Sequence, residues 1–91
     1  MKVIEMRELE RLVLETFPAK GVFSAKSELG LHVSRAPVIG FVHGGPDPFF
    51  DRQFDAWLNG APIFVTIYQL LKRLCRAGAL APGDYAVTRR A

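Results

Sequence analysis

Three carboxylates at intervals of four residues are the first candidate for chemistry in this 91-residue chain. Asp47, Asp51 and Asp55 would lie along one edge of a helix, where their oxygens could hold a divalent cation. Neither a calcium-loop pattern nor a second ligand cluster accompanies them in the sequence. The spacing therefore predicts a helix N-cap at Asp47, followed by a solvent-facing acidic edge, and no metal site.

Nucleophilic catalysis has two weaker candidates. The segment His43-Gly44-Gly45-Pro46 is similar to the His-Gly-Gly loop that supplies oxyanion-hole amides in some esterases, but no G-x-S-x-G segment supplies a serine nucleophile. Cys75 could act as a thiol with His43 or His32, yet it follows Leu74 in an apolar helical pattern, where a packed cysteine is expected. We predict a turn at 43–46, no catalytic residue, no cofactor and a protein that is not an enzyme.

Positive charge is concentrated near the C-terminal end. The formal net charge is +3; residues 1–71 carry seven basic and eight acidic side chains (−1), and residues 72–91 carry five basic and one acidic (+4). Clustered basic charge is the electrostatic footprint of phosphate contact, although a solvated helix face with a basic tail has the same composition. The predicted nucleic-acid-binding residues are Lys72, Arg73, Arg76, Arg89 and Arg90.

Aromatic side chains support a different kind of partner. Phe49, Phe50, Phe54 and Trp57 lie within nine residues, and most of them must build the core of so small a domain. Phe49 and Phe50 are adjacent, so they cannot share one face of a helix. An aromatic ring left exposed marks a protein interface. Phe49 and Phe50 are therefore the predicted interface residues, for a protein partner or a homodimer.

The spacing of apolar residues and the positions of glycine and proline predict one small α+β domain over residues 1–91, with two helices after a β-meander. Helices are recognised by apolar residues three and four apart, and strands by β-branched runs between glycine and proline. The Ala81-Pro82-Gly83-Asp84 segment has proline and glycine at the centre of a type II turn. The predicted elements are helix 4–16, strands at 21–24, 29–33 and 38–42, helices 48–58 and 62–77, and a C-terminal hairpin that ends in strand 85–88.

The middle of the chain has a second interpretation. Residues 24–30 and 34–43 could instead form two short helices, with Ser34 as N-cap, which would place a helix-turn-helix there. Gly40 and the β-branched residues of 38–42 argue against the second of these helices. We favour strands, and leave the two-helix arrangement as the alternative.

The C-terminal third resembles the recognition helix and wing of winged helix-turn-helix transcriptional regulators. In those families a line such as YxLLxRLxxAGxL precedes a hairpin that ends in YxVT. The residues that carry the resemblance are Tyr68, Leu70, Leu71, Arg73, Leu74, Ala77, Gly78, Leu80, Tyr85, Val87 and Thr88. It implies a DNA-binding protein. The basic residues lie in the second half of the helix, so they would hold phosphates more than read base edges.

Composition indicates where such a protein works. The N-terminal segment MKVIEMRELER alternates charges where a signal peptide needs an apolar core, and no apolar run approaches the length of a membrane span. A single cysteine suits a reducing compartment. The sequence thus predicts a cytoplasmic, winged-helix-like regulator that binds nucleic acid and no membrane. The alternative is a protein-interaction adaptor or a homo-oligomeric accessory protein without DNA binding.

Overall fold

A computed structural model describes residues 1–17, 38–63 and 65–88 as a small compact α+β domain. In this part of the chain three helices accompany a three-stranded mixed sheet. The predicted strands at 21–24 and 29–33, helix 24–30, Arg89 and Arg90 lie outside the described residues. In chain order the elements are β1 (Lys2–Glu5), α1 (Met6–Thr16), β2 (Val38–Val42), α2 (Pro48–Leu58), α3 (Ile67–Arg76) and β3 (Gly83–Thr88).

The N-terminal end differs from the prediction, which began a helix at residue 4. Lys2–Glu5 is a strand, and α1 begins at Met6. The strand pairs in parallel with β3, with Ile4 opposite Val87. Helical periodicity could not reveal this strand, because its hydrogen-bond partner is some 80 residues away in sequence. From Met6 onward the predicted helix is confirmed, and its apolar stripe is buried.

β3 does not form the predicted C-terminal hairpin. The order of the sheet is β1-β3-β2, so β3 is its central strand, parallel to β1 and antiparallel to β2. Both partners come from earlier in the chain. Tyr85 and Val87 on β3 are buried, in agreement with a central position.

The region around residue 40 favours the strand interpretation over the helix at 34–43. Val38 pairs with Ala86 and Gly40 with Tyr85, so one extra residue interrupts the register. Gly40 has φ of 94°, a value that suits glycine at a β-bulge. The glycine that argued against a helix thus has a specific place in the strand.

The predicted helix 48–58 is confirmed, and Pro48 stands at its start. Asp47 precedes it but makes no side-chain capping hydrogen bond, contrary to the prediction. Gly60, at φ of 91°, follows the helix and its N–H donates to the carbonyl of Trp57 at 3.0 Å. Eight residues, 59–66, then separate α2 from α3, more than the three predicted for a helix-turn-helix connection.

The last helix begins at Ile67 and not at Pro62, because Thr66 caps it. The Gln69 N–H donates to Thr66 Oγ1 at 3.1 Å, and the Thr66 N–H donates to Gln69 Oε1 at 2.8 Å. This reciprocal pair is a capping box, and it satisfies two N–H groups at the start of the helix. The helix ends at Arg76, with Gly78 at φ of 81° behind it.

Replacing Thr66 with alanine is expected to lower the free energy of unfolding by about 1 kcal/mol, since it removes the side-chain acceptor at the N-cap. Thr66→Ser keeps the hydroxyl, so it should lower the free energy of unfolding by only a small part of the loss expected for alanine. Urea unfolding followed by circular dichroism measures both changes. Equal losses in the two variants would show that the capping hydrogen bond is unimportant.

The predicted type II turn at 81–84 is also absent. Its third residue, Gly83, would need positive φ, but Gly83 is the first residue of β3 and its φ is not in that range. Pairing with Val42 requires an extended conformation there. The Tyr85 hydroxyl instead donates to the carbonyl of Ala81 at 2.6 Å and holds the segment against the strand.

The core lies between the sheet and the helices. α1 and α3 pack against each other, and they contact the edge strands β1 and β2 respectively. No helix within the described ranges has both the length and the apolar character that crossing a membrane requires. Among the described residues, the buried apolar ones are Ile4, Met6, Leu9, Val13, Val42, Phe54, Trp57, Val65, Leu70, Leu71, Leu74, Tyr85, Ala86 and Val87.

Candidate interaction surface

An acidic edge on α2 faces a basic edge on α3. The three carboxylates spaced by four residues and three of the predicted phosphate-binding residues meet there in what we call the ion-pair ladder. Four contacts join α3 to α2 or to Asp47, the residue before it: Lys72–Asp47 at 3.2 Å, Arg73–Asp55 at 3.0 Å, Arg73–Asp51 at 3.7 Å and Arg76–Asp51 at 2.9 Å. The members of the ladder are Asp47, Asp51, Asp55, Lys72, Arg73 and Arg76.

Arg76 is the member of the ladder that also contacts the loop before α2. Besides Asp51, its guanidinium donates to the carbonyl of Gly44 at 3.2 Å and to that of Gly45 at 2.8 Å. It therefore joins the end of α3 to α2 and to the loop that leads into α2. The fork of guanidinium donors suits several oxygen acceptors at once, which a lysine could not replace.

Arg73 is held between charge and an aromatic face. Its guanidinium lies 4.5 Å from the centre of the Phe54 ring while it pairs with Asp55 and Asp51. Only 18% of the Arg73 side chain is exposed, so its charge is covered by these groups more than by water. A cation over an aromatic ring is attracted to the ring as well as to the carboxylates.

The titration of Asp51 follows from this environment. Partial burial by itself would raise the pKa of the Asp51 carboxyl. The hydrogen bond from Arg76, the Asp47 N–H at 3.2 Å and the charges of Arg76 and Arg73 outweigh it, so the pKa is below its usual value. Asp51 is ionised at neutral pH, and it contributes stability that is lost as pH falls from the ordinary aspartate pKa through this lowered pKa.

These contacts define the surroundings of the predicted phosphate-binding residues. The structure brings together Lys72, Arg73 and Arg76, but each faces at least one carboxylate. Three acidic and three basic side chains leave no net charge on the ladder. Nucleic acid would have to replace these carboxylates to reach the cations. Arg89 and Arg90, predicted to act with them, lie outside the described residues.

Both predicted interface residues are exposed, where the prediction required only one. The Phe49 side chain is 67% exposed and that of Phe50 44%. Their ring centres are 5.2 Å apart at an angle of 85°, an edge-to-face contact. We call Phe49 and Phe50 the aromatic pair. It lies in the first turn of α2, beside the start of the ladder.

The surface next to the aromatic pair offers little room for a small ligand. A cavity of about 10 Å³ lies between Phe50, Phe54 and Tyr68, enough for one water molecule at most. Tyr68 is itself 37% exposed. Val3 and Phe41 are also exposed, but they lie on the two opposite edge strands of the sheet. Phe41 also has a neighbouring ring, that of the exposed His43 at 6.2 Å, whereas the aromatic pair brings two exposed phenylalanine rings together at 5.2 Å.

Two of the groups considered for catalysis, His43 and Cys75, have local contacts, and the third, His32, lies outside the described residues. The Gly45 N–H donates to His43 Nδ1 at 3.1 Å, so the loop uses one of the amides that an oxyanion hole would need. Cys75 is half-buried, with its Sγ 3.8 Å from the carbonyl of Ala81. Burial raises the pKa of the Cys75 thiol, although the charge of Lys2 opposes it, and a protonated thiol is a poor nucleophile.

Sequence reasoning missed the ladder although its signal was present. The carboxylates at 47, 51 and 55 and the cations at 72, 73 and 76 are both spaced for one helix edge. Two oppositely charged edges on successive helices could have been paired. Periodicity within one helix predicts only that the acidic edge faces solvent and the basic edge faces phosphate, because it carries no information on how two helices pack.

The comparisons with known proteins add no relative. Within the described ranges, no cluster of His, Cys, Asp and Glu has an arrangement that could hold a metal ion. No family model matches the chain, and neither the curated proteins nor the solved structures contain a match. The site geometry and the sequence are therefore the basis for a functional assignment.

Proposed function

We propose that this protein is a non-enzymatic binding protein that associates with protein through the aromatic pair. The observation that carries the proposal is the exposure of both rings, Phe49 and Phe50, on one turn of a helix. Neighbouring exposed aromatic rings cost free energy in water, and burial in an interface recovers it. Aromatic side chains are enriched among the residues that contribute most to protein interfaces.

The first partner is a second copy of the chain. Two copies that each carry a net charge of +3 repel one another at long range. Beside the aromatic pair, however, the ladder matches each cation with a carboxylate, so like charges do not oppose close approach there. A two-fold dimer would place the pair of one copy against that of the other.

Sedimentation velocity over a range of protein concentrations tests this function. Wild-type protein is expected to show a concentration-dependent dimer, and Phe49→Ser and Phe50→Ser are each expected to shift it toward monomer. Neither ring is in the buried core, so both variants should fold. Leu14→Ser is the matched control, since Leu14 is an exposed apolar residue on α1. A wild-type monomer at every concentration would contradict self-association.

A winged-helix-like regulator that binds nucleic acid is the second candidate. It is supported by the concentration of the positive excess in residues 72–91 and by the succession of α2, α3 and a strand. It requires duplex binding that weakens steeply with salt. Such binding, lost in the double variant Arg73→Ala/Arg76→Ala but retained in Phe49→Ser, would replace the first proposal with this one.

A further inference from the structure

We propose that Arg76 acts as a latch which holds the first half of α2 closed, and that opening this latch weakens association through the aromatic pair. This inference rests on the proposed function, because it concerns the regulation of the same surface. It predicts that the two halves of one helix open separately.

The second half of α2 is fastened by buried rings. Phe54 is 1% exposed and Trp57 3% exposed, and their ring centres are 5.5 Å apart. Both belong to the main apolar core. Removing this half from the domain would expose two large aromatic side chains, so it opens only when the core opens.

The first half of α2 is fastened mainly by charge. Its buried anchor is missing, since Phe49 and Phe50 are both exposed. What holds it are the contacts of Asp47 with Lys72 and of Asp51 with Arg76 and, at 3.7 Å, with Arg73, together with Phe50, which lines the small cavity. Partly exposed ion pairs contribute little individually and are screened by salt.

Arg76 couples this half to the loop before it. Its bonds to the carbonyls of Gly44 and Gly45 and to Asp51 are made by one guanidinium. Loss of this side chain therefore releases the loop and the first turn together. Two consecutive glycines in that loop allow the backbone to move once it is released.

The closed latch keeps the aromatic pair in one arrangement. Rings that are already fixed lose less conformational entropy on binding than mobile ones. Opening the latch should therefore weaken association. This gives a distinctive salt dependence: association through apolar surface is ordinarily strengthened or unchanged by salt, whereas the latch predicts that added sodium chloride weakens it.

Amide hydrogen exchange measured by NMR tests the latch on the intact chain. We compare two sets of amides. The N–H groups of residues 51–53 bond to the carbonyls of residues 47–49 and report on the first half of α2, whereas those of residues 57–58 report on the second half. Raising sodium chloride to about 1 M, or substituting Arg76→Gln, should accelerate exchange at 51–53 about tenfold and leave 57–58 within about twofold. Arg11→Gln, which removes the exposed ion pairs of α1, is the matched control and should change neither group.

Exchange rates that rise equally in both halves, or in neither, would overturn the latch. Sedimentation of the same samples separates this result from failure of the proposed function. If wild-type protein dimerises but Arg76→Gln and high salt leave the dimer unchanged, the latch is wrong and the association stands. If the first half of α2 loosens as expected in a protein that is always monomeric, the association through the aromatic pair is wrong.

Discussion

Replacing Phe54 with alanine is expected to lower the free energy of unfolding by about 3–5 kcal/mol, the largest effect of any single substitution that we propose. The ring is fully buried, 5.2 Å from Phe17 at an angle of 69° and 5.5 Å from Trp57. It also supports Arg73, whose guanidinium lies over its face. The variant loses apolar burial, two aromatic contacts and a cation–π contact, and leaves a cavity behind.

A loss of this size is a large part of the stability of a small domain, which is about 5–15 kcal/mol in total. Urea unfolding followed by circular dichroism, with the slope compared between variants, measures it. Phe49→Ala is the control: its ring is exposed, so its cost should stay within about 0.5 kcal/mol. A cost below about 1 kcal/mol for Phe54→Ala would contradict the core position assigned to α2.

Adding a single methyl group at Gly44 is expected to destabilise the domain by about 1–3 kcal/mol. A Cβ atom there would lie 2.7 Å from both the Cα and the N of Arg76. These are backbone atoms of α3, so neither can turn aside, and the loop before α2 must move away from the helix. That displacement would also lengthen the hydrogen bonds from Arg76 to the Gly44 and Gly45 carbonyls.

The neighbouring glycine is the matched control for this substitution. A Cβ at Gly45 would be equally close to another group, 2.7 Å from His43 Cε1, but that atom is at the end of a side chain that can rotate. Gly45→Ala should therefore cost clearly less than Gly44→Ala in thermal unfolding. Equal costs would show that the loop does not lie against the backbone of α3.

The parts of the fold that sequence patterns predicted are those with local causes. Helix 48–58 and the end of α3 are marked by Pro48, Gly60 and Gly78, residues whose backbone preferences act where they stand. β1 and the central position of β3 depend on pairing between residues 2–5 and 85–88. Patterns within a short stretch of sequence do not reveal pairing between such distant segments. The predicted start of α3 at Pro62 is five residues too early, because proline favours a first helical position while the capping box at Thr66 sets the actual start.

The surface was predicted in outline but not in its contacts. Adjacent aromatic residues on a helix must point in different directions, which is why Phe49 and Phe50 could be selected from the sequence. The surroundings of Arg73 and Arg76 could not be obtained in the same way. Their carboxylate partners are on α2. The distance between the edges of the two helices depends on how Phe54 and Trp57 pack in the core.

An NMR concentration series tests the central claim most directly, because it detects association and locates its surface together. As protein concentration rises, we predict that the resonances of Phe49 and Phe50 shift progressively, with smaller shifts at Tyr68. Resonances of Val3 and Phe41, which are exposed elsewhere, should not move. Shifts confined to Val3 and Phe41, or no concentration dependence at all, would contradict the aromatic pair as the surface through which this protein associates.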